Sequence, residues 1–210
     1  MILKNFIVFE GIDGAGTTTQ QRLLQDRLQA QFPHIGCHAT AEPSSGPTGT
    51  FLRSVLRGEV QVSPRTAAYL FAADRQEHLA APGGIEELCR HNTIVISDRY
   101  LFSSLAYQSA ACGPELPRLL NSSFPLPEYL FFFDIEPNQS LKRISGRGVT
   151  EIYENQAFLE ATAAEYRRVI GEYEAMDTGM TILRLDASES IEKVSANIWS
   201  AVENMPILQG

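Results

Sequence analysis

The sequence predicts an α/β protein in which a central five-stranded parallel sheet is flanked by helices. Two observations carry this expectation. Short runs rich in Ile, Val and Phe alternate with longer amphipathic stretches, the pattern left by strands buried on both faces of a helix-covered sheet. The first of these runs ends at Gly11, Gly14 and Gly16, directly before a helical pattern, where a tight strand-to-helix turn needs residues free of a Cβ.

In chain order, Ile2 to Phe9 reads as the first strand. A helix follows from about Thr18, with Leu23, Leu24 and Leu28 as its apolar stripe and Phe32-Pro33 as its end. Gly36 to Thr40 reads as the second strand. The stretch Glu42-Pro43-Ser44-Ser45-Gly46-Pro47 has loop composition, and loops in such positions often carry function. Helical patterns cover Thr50 to Leu56 and Pro64 to Ala80, the second opening with proline at a first-turn position. Thr93 to Ser97, Tyr129 to Asp134 and Thr181 to Leu185 supply the third, fourth and fifth strands. Between the last two lie a helix from about Asn138, an interruption at Gly146-Arg147-Gly148, and a long helix from about Asn155 to Met176.

Composition narrows the class. The 210 residues are 44% hydrophobic and 20% charged, the balance of one globular domain rather than a disordered chain or a disulfide scaffold. The net charge is −8, and only Lys4, Lys142 and Lys193 are lysines, so no basic nucleic-acid footprint is expected. The longest apolar runs have strand length, well below a membrane span. The N-terminus has no secretory pattern, and a cytoplasmic location is expected. Cys37, Cys89 and Cys112 form no CxxC pair, and the four histidines follow no metal-site spacing.

The chemistry is concentrated in Gly11-Ile12-Asp13-Gly14-Ala15-Gly16-Thr17-Thr18-Thr19. Glycines at this spacing let backbone N–H groups wrap a phosphate, and the following helix adds its positive end. Gly11 to Gly16 has the spacing of a P-loop, GxxxxGK[ST], with Thr18 at the hydroxyl position that serves Mg²⁺. Position 17 is threonine instead of the lysine that reaches the β- and γ-phosphates. A hydroxyl donates one hydrogen bond and neutralises no charge. Losing one preorganised transition-state donor costs about 10² to 10³ in rate. The second signal, Ser97-Asp98-Arg99-Tyr100, ends the third strand. Ligands of open α/β sheets bind at the carboxyl ends of strands, so Asp98 is expected to hold Mg²⁺ or its waters and Arg99 to clamp a phosphate.

These pieces, in this order, resemble the thymidylate kinase family. The resemblance covers nearly the whole chain and rests on Phe9-Glu10-Gly11-Ile12-Asp13-Gly14-Ala15-Gly16, Glu42-Pro43, Phe71-Ala72-Ala73-Asp74-Arg75, Asp98-Arg99-Tyr100 with Ser103-Ser104-Leu105-Ala106-Tyr107-Gln108, Leu141-Lys142-Arg143 with Arg147-Gly148, and Phe158 with Tyr166. It implies a three-layer P-loop NTPase fold in a single domain over 1–210, with a lid at about 143–155. It also implies transfer of the ATP γ-phosphoryl group to dTMP with Mg²⁺, a step toward dTTP, in a homodimer.

The resemblance further implies roles for residues. Gly11, Gly14, Ala15, Gly16, Thr17, Thr18 and Thr19 would bind the ATP phosphates, and Thr18, Asp98 and Glu42 would serve the metal. Phe71 would stack on thymine, with Arg75 one helical turn later reaching a base carbonyl. Ser104 and Gln108 would face the base edge, and Tyr107 the deoxyribose. Asp13 would accept from the 3′-hydroxyl or organise the acceptor phosphate that Arg99 holds. Gly14 stands where one group of the family carries a P-loop arginine, so the lid arginines Arg143 and Arg147 are the candidates for assisting transfer. Thr17, Ala41 and Ile152 are neutral where the family often has cations, and Arg143 or Arg147 is expected to supply the charge missing at position 17. Two alternatives keep the motifs: a nucleotide-binding relative with weakened catalysis, and a kinase for another nucleoside monophosphate, since Ser104 stands where the family often has Asn or Thr.

Overall fold

The computed structural model describes residues 1–144 and 156–209. Five strands, β1 (Ile2–Gly11), β2 (Gly36–Ala41), β3 (Thr93–Asp98), β4 (Leu126–Asp134) and β5 (Thr181–Asp186), form one parallel sheet in the order β2-β3-β1-β4-β5. Phe6, Ile7, Val8 and Phe9, Ile94, Val95 and Ile96, and Leu130 and Phe131 are inaccessible to solvent. This is why these strands read as continuous apolar runs instead of alternating ones. Strand β1 is central. The chain steps to one side of it for β2 and β3 and to the other for β4 and β5, so a crevice opens at its carboxyl end.

The helices are α1 (Thr17–Gln31), α2 (Pro47–Leu56), α3 (Pro64–Ala80), α4 (Ile85–Arg90), then a helical run over 101–112, then α7 (Glu115–Asn121), α8 (Pro137–Ile144), α9 (Gln156–Glu174) and α10 (Ile191–Val202). The run comprises α5 (Leu101–Ser103), a π-helical segment (Ser104–Gln108) and α6 (Ser109–Cys112). No described helix is long and apolar enough to cross a membrane.

Several boundaries differ from the sequence expectation. Strand β1 runs on to Gly11, because it pairs with β4 as far as Phe133. Helix α2 begins at Pro47, whose fixed φ and missing N–H suit a first turn. Strand β4 begins at Leu126 despite Pro127, which lies near the strand start, where the pairing with β1 is irregular between Leu3 and Ile7. Helices α4, α7, α10 and the run over 101–112 are additions to the expected elements. The 101–112 run is buried on several sides, through Leu101, Phe102, Leu105, Ala106 and Tyr107, so it carries no single apolar stripe. The interruption at Gly146-Arg147-Gly148, with most of the expected lid, lies outside the described residues.

Candidate active site

The P-loop forms at the carboxyl end of β1, where Gly14 and Gly16 take left-handed φ values of 81° and 95°. A Cβ on Gly14 would also meet Ser140 O at 2.9 Å. Glycine is required at position 14 both by conformation and by this approach. Gly11 packs against Phe133 and Ala15. Helix α1 starts at Thr17, and the Thr18 hydroxyl donates to Asp98 Oδ2 at 2.5 Å. The pairing of Phe9 with Asp98 in the sheet brings these two together. Asp98 Oδ1 is buried and has no hydrogen-bond partner among the described residues.

A cavity of about 290 Å³ lies against this loop, lined by Gly14, Ala15, Gly16 and Thr19 together with Phe133, Arg143, Ala187, Glu189 and Ile191. Arg143 donates to Ala187 O at 2.9 Å and to Gly14 O at 3.3 Å. This lid-side arginine therefore touches the loop that lacks a lysine. The loop after β5 and the start of α10 complete the cavity wall. Gln20 fastens them to α1 by donating to Ile191 O at 2.9 Å.

A second cavity of about 270 Å³ has a wall that includes Asp13, next in sequence to Gly14 of the first, with Glu42, Arg53, Phe71, Arg75, Arg99, Tyr107 and Gln108. Phe71 and Arg75 reach it from one face of α3, as their spacing predicts. Ser104 sits behind the wall and accepts from Arg75 Nη1 and Nη2 at 3.2 Å. Arg75 is fully buried. It also donates to Asn121 and pairs with Glu42 Oε2 at 2.5 Å, while its Nε and Gln108 Oε1 have no partner among the described residues. Buried polar groups left unpaired beside a cavity suit a polar ligand.

Glu42, expected beside the metal, has its carboxylate on Arg75 and 3.4 Å from His78 Nδ1, while its backbone N–H donates to Asp98 O at 3.0 Å. The loop that carries it is pinned by Arg53, which donates to Pro43 O and Ser44 O, and by Asp74, which accepts from Ser44 and Thr48.

Arg99 follows β3 with φ at 75°, a left-handed conformation that a non-glycine residue holds only when its surroundings impose it. Its N–H donates to Phe9 O at 2.9 Å, and Ser97 Oγ donates to its carbonyl at 2.7 Å. The guanidinium donates to Asp13 Oδ1 at 2.7 Å and to Tyr107 Oη at 3.3 Å, and Tyr107 donates to Asp13 Oδ2 at 2.9 Å. Burial opposes the charge on Arg99, but Tyr107, Asp13, Tyr166 and Asp98 outweigh it and hold the guanidinium protonated.

Glu10, Arg53, Ser103, Asn121, and the cavity residues Ala187, Glu189 and Ile191 join the site without having been expected there. One signal existed for Glu10: a lone carboxylate closing an apolar strand must find donors when buried. Arg147 lies outside the described residues.

Comparison with known proteins agrees with this geometry. Residues 9–198 match the family described as thymidylate kinase. The chain is 42% identical over 198 residues to a putative thymidylate kinase of Treponema pallidum, covering 94% of each chain. It is 36% identical to a probable thymidylate kinase of Pyrobaculum aerophilum, covering 95% of this chain and 97% of that one. It is 35% identical to a probable thymidylate kinase of Methanocaldococcus jannaschii, covering 98% of this chain and all of that one.

Proposed function

The chain belongs to the thymidylate kinase family, and from that premise we propose how its residues transfer the γ-phosphoryl group of ATP to dTMP. One observation carries the reading: successive residues of the P-loop line two cavities, Gly14 the one against the loop and Asp13 the one that also holds Arg99, Tyr107 and Arg75. Donor and acceptor phosphates would face each other there. Transfer needs no covalent enzyme intermediate, so catalysis rests on positioning and charge neutralisation.

On the donor side, the N–H groups of Gly14, Ala15, Gly16, Thr17, Thr18 and Thr19 cradle the ATP phosphates, and the nucleoside lies toward Ala187 and Ile191. Arg143 turns from the carbonyls it now binds to the transferring phosphoryl group, taking up charge that Thr17 cannot offset. Arg147 remains the second candidate for that task. On the acceptor side, Arg99 holds the dTMP phosphate and Asp13 orients the nucleotide. Tyr107 packs against the deoxyribose, and Phe71 stacks on thymine. Arg75 reads a base carbonyl through the N–H it has to spare, with Gln108 and Ser104 beside it.

Thr18 and Asp98 fit a divalent cation, because Asp98 offers a buried oxygen with no partner among the described residues. Among those residues there is no cluster of three potential metal ligands. Mg²⁺ suits such a site, since it takes one or two protein groups and fills its shell with water and phosphate oxygens. Bound there, it would neutralise charge on the donor phosphates.

We also propose a homodimer working in the cytoplasm, with exposed Phe51 and Tyr69 on α2 and α3 as candidate contacts. Sedimentation of the purified protein tests the dimer. A coupled assay with ATP, Mg²⁺ and competing dTMP, dUMP, dCMP and dGMP tests the reaction and its acceptor. Preference for dTMP supports the reading; nucleotide binding without turnover at high enzyme concentration would replace it with the non-catalytic alternative.

A further inference from the structure

Glu10 closes the apolar run of β1 with a carboxylate that solvent does not reach. Four donors converge on it. The N–H groups of Tyr100 and Ser103 lie at 2.8 and 3.1 Å, the Ser103 hydroxyl at 2.6 Å, and the Tyr166 hydroxyl, from α9, at 2.8 Å. Arg99 stands just beyond the two hydroxyls. Its Nη1 lies 3.2 Å from Ser103 Oγ and 3.4 Å from Tyr166 Oη, and its Nη2 binds Asp13. A guanidinium only donates, so both hydroxyl oxygens must accept from Arg99. Each hydroxyl has one proton, which it keeps and directs in a hydrogen bond to the ionised carboxylate.

We propose that Glu10 is a positioning residue for the acceptor phosphate: by drawing the Ser103 and Tyr166 hydroxyl protons to itself, it turns their lone pairs to Arg99 and fixes the guanidinium that clamps that phosphate. The inference rests on the reading of Arg99 given above. A carboxyl proton or an amide N–H at position 10 would face four donors. The two backbone N–H groups cannot turn away, so the adjustment falls on the hydroxyls. These lie 2.7 Å from each other, so turning one disturbs the other, and a hydroxyl proton is brought toward Arg99. The charged and titratable groups around Glu10 are Arg99, on the same turn as Ser103, and Tyr166 on α9, with Asp13 and Tyr107 beyond Arg99. Burial, against the lowering effects of Ser103, Arg99, Tyr166 and Tyr100, lifts the Glu10 carboxyl to about 7. The geometry is therefore sensitive to protonation near neutral pH.

The test is calorimetric titration of the full-length protein with dTMP and with thymidine, which lacks the phosphate, at about pH 6 and about pH 8.5. Wild type, Glu10→Gln and Tyr166→Phe are compared. At the higher pH, Glu10→Gln is expected to lower the ratio of dTMP to thymidine affinity by about tenfold, as expected for one weakened charge-assisted hydrogen bond. Thymidine affinity itself stays within about twofold. At the lower pH the two proteins converge, because wild-type Glu10 is then protonated; the phosphate's own ionisation is common to both and cancels. Tyr166→Phe gives a smaller fall in the same ratio and keeps the test open if Glu10→Gln does not fold. A ratio unchanged in both variants would overturn the proposal, as would an equal loss of thymidine and dTMP affinity, which marks a merely structural role. If wild type binds thymidine as well as dTMP and Arg99→Ala changes neither, it is the phosphate-clamp reading of Arg99 that fails.

Discussion

The Thr18 hydroxyl donates to Asp98 Oδ2 at 2.5 Å, joining the first turn of α1 to the end of β3. Asp98 Oδ1 is left buried without a partner among the described residues, an arrangement that is costly unless a cation or its water completes it. Replacing Asp98 by Asn removes the charge and keeps the shape. The Mg²⁺ concentration for half-maximal rate should then rise about tenfold or more, the scale on which metal-supporting groups act. Thr18→Ala should move it in the same direction, and chelation should abolish wild-type turnover. Rate against Mg²⁺ concentration in a coupled assay checks this; unchanged curves for both variants contradict the metal assignment.

The neutral Thr17 and the nearby Arg143 make a linked prediction. Among the described residues, Arg143 is bonded to carbonyl oxygens, so its charge is not spent on a carboxylate. Arg143→Ala should lower kcat by about 10²- to 10³-fold, as loss of one preorganised donor does. Thr17→Lys should raise kcat, and in that background Arg143→Ala should cost less. Groups serving one charge are non-additive. Single-turnover rates of the four proteins measure the coupling, and strict additivity would show that the two positions act independently.

Glu42 and Arg75 have side chains 3% and 1% exposed, so neither charge has water to fall back on. Glu42→Ala strands the guanidinium, with only Ser104 and Asn121 as neutral acceptors among the described residues. Breaking a buried pair in this way costs about 3–5 kcal/mol. Urea denaturation should show that loss for Glu42→Ala, and a smaller loss for the double variant Glu42→Ala with Arg75→Met, where no charge is stranded. A Glu42→Ala midpoint equal to that of wild type would mean that solvent reaches the pair.

These residues also show where sequence reasoning reaches and where it stops. The P-loop was legible because the backbone itself demands Gly14 and Gly16, and Asp98 because a strand end in a parallel sheet faces the same crevice. Strands β1, β3 and β4 were legible because burial on both faces writes a continuous apolar run. Helix α10 had a readable stripe in Ile191, Val194, Ile198, Trp199 and Val202 behind the cap Ser190, whereas the run over 101–112 is buried too widely to show one. The pairing of Glu42 with Arg75 was not legible, because it depends on how an irregular loop is pinned by Asp74 and Arg53. The Glu10 partners lie 90 and 156 positions away, contacts that no local pattern encodes.

Glu10 sets function against stability, and the conflict has a measurable sign. Burial raises its carboxyl from 4.5 to about 7 in the folded protein. Below about 4.5 both folded and unfolded chains are protonated, and the group contributes no pH dependence. Between 4.5 and 7 the folded chain holds a proton that the unfolded chain has released, so rising pH lowers stability. Above 7 both are ionised, and the cost of burying the charge is constant, on the order of 3 kcal/mol for a shift of this size. Glu10→Gln never ionises. Its stability relative to wild type should therefore increase as pH rises through this window and level off above it, whatever offset the altered hydrogen bonds impose. Urea unfolding of both proteins at intervals from about pH 5 to about pH 8 measures the difference. A difference that is flat with pH would mean that Glu10 titrates normally. A rising one would mean that the fold bears the cost of an ionised carboxylate, the form that takes the hydrogen bonds of the Ser103 and Tyr166 hydroxyls and leaves their lone pairs to Arg99.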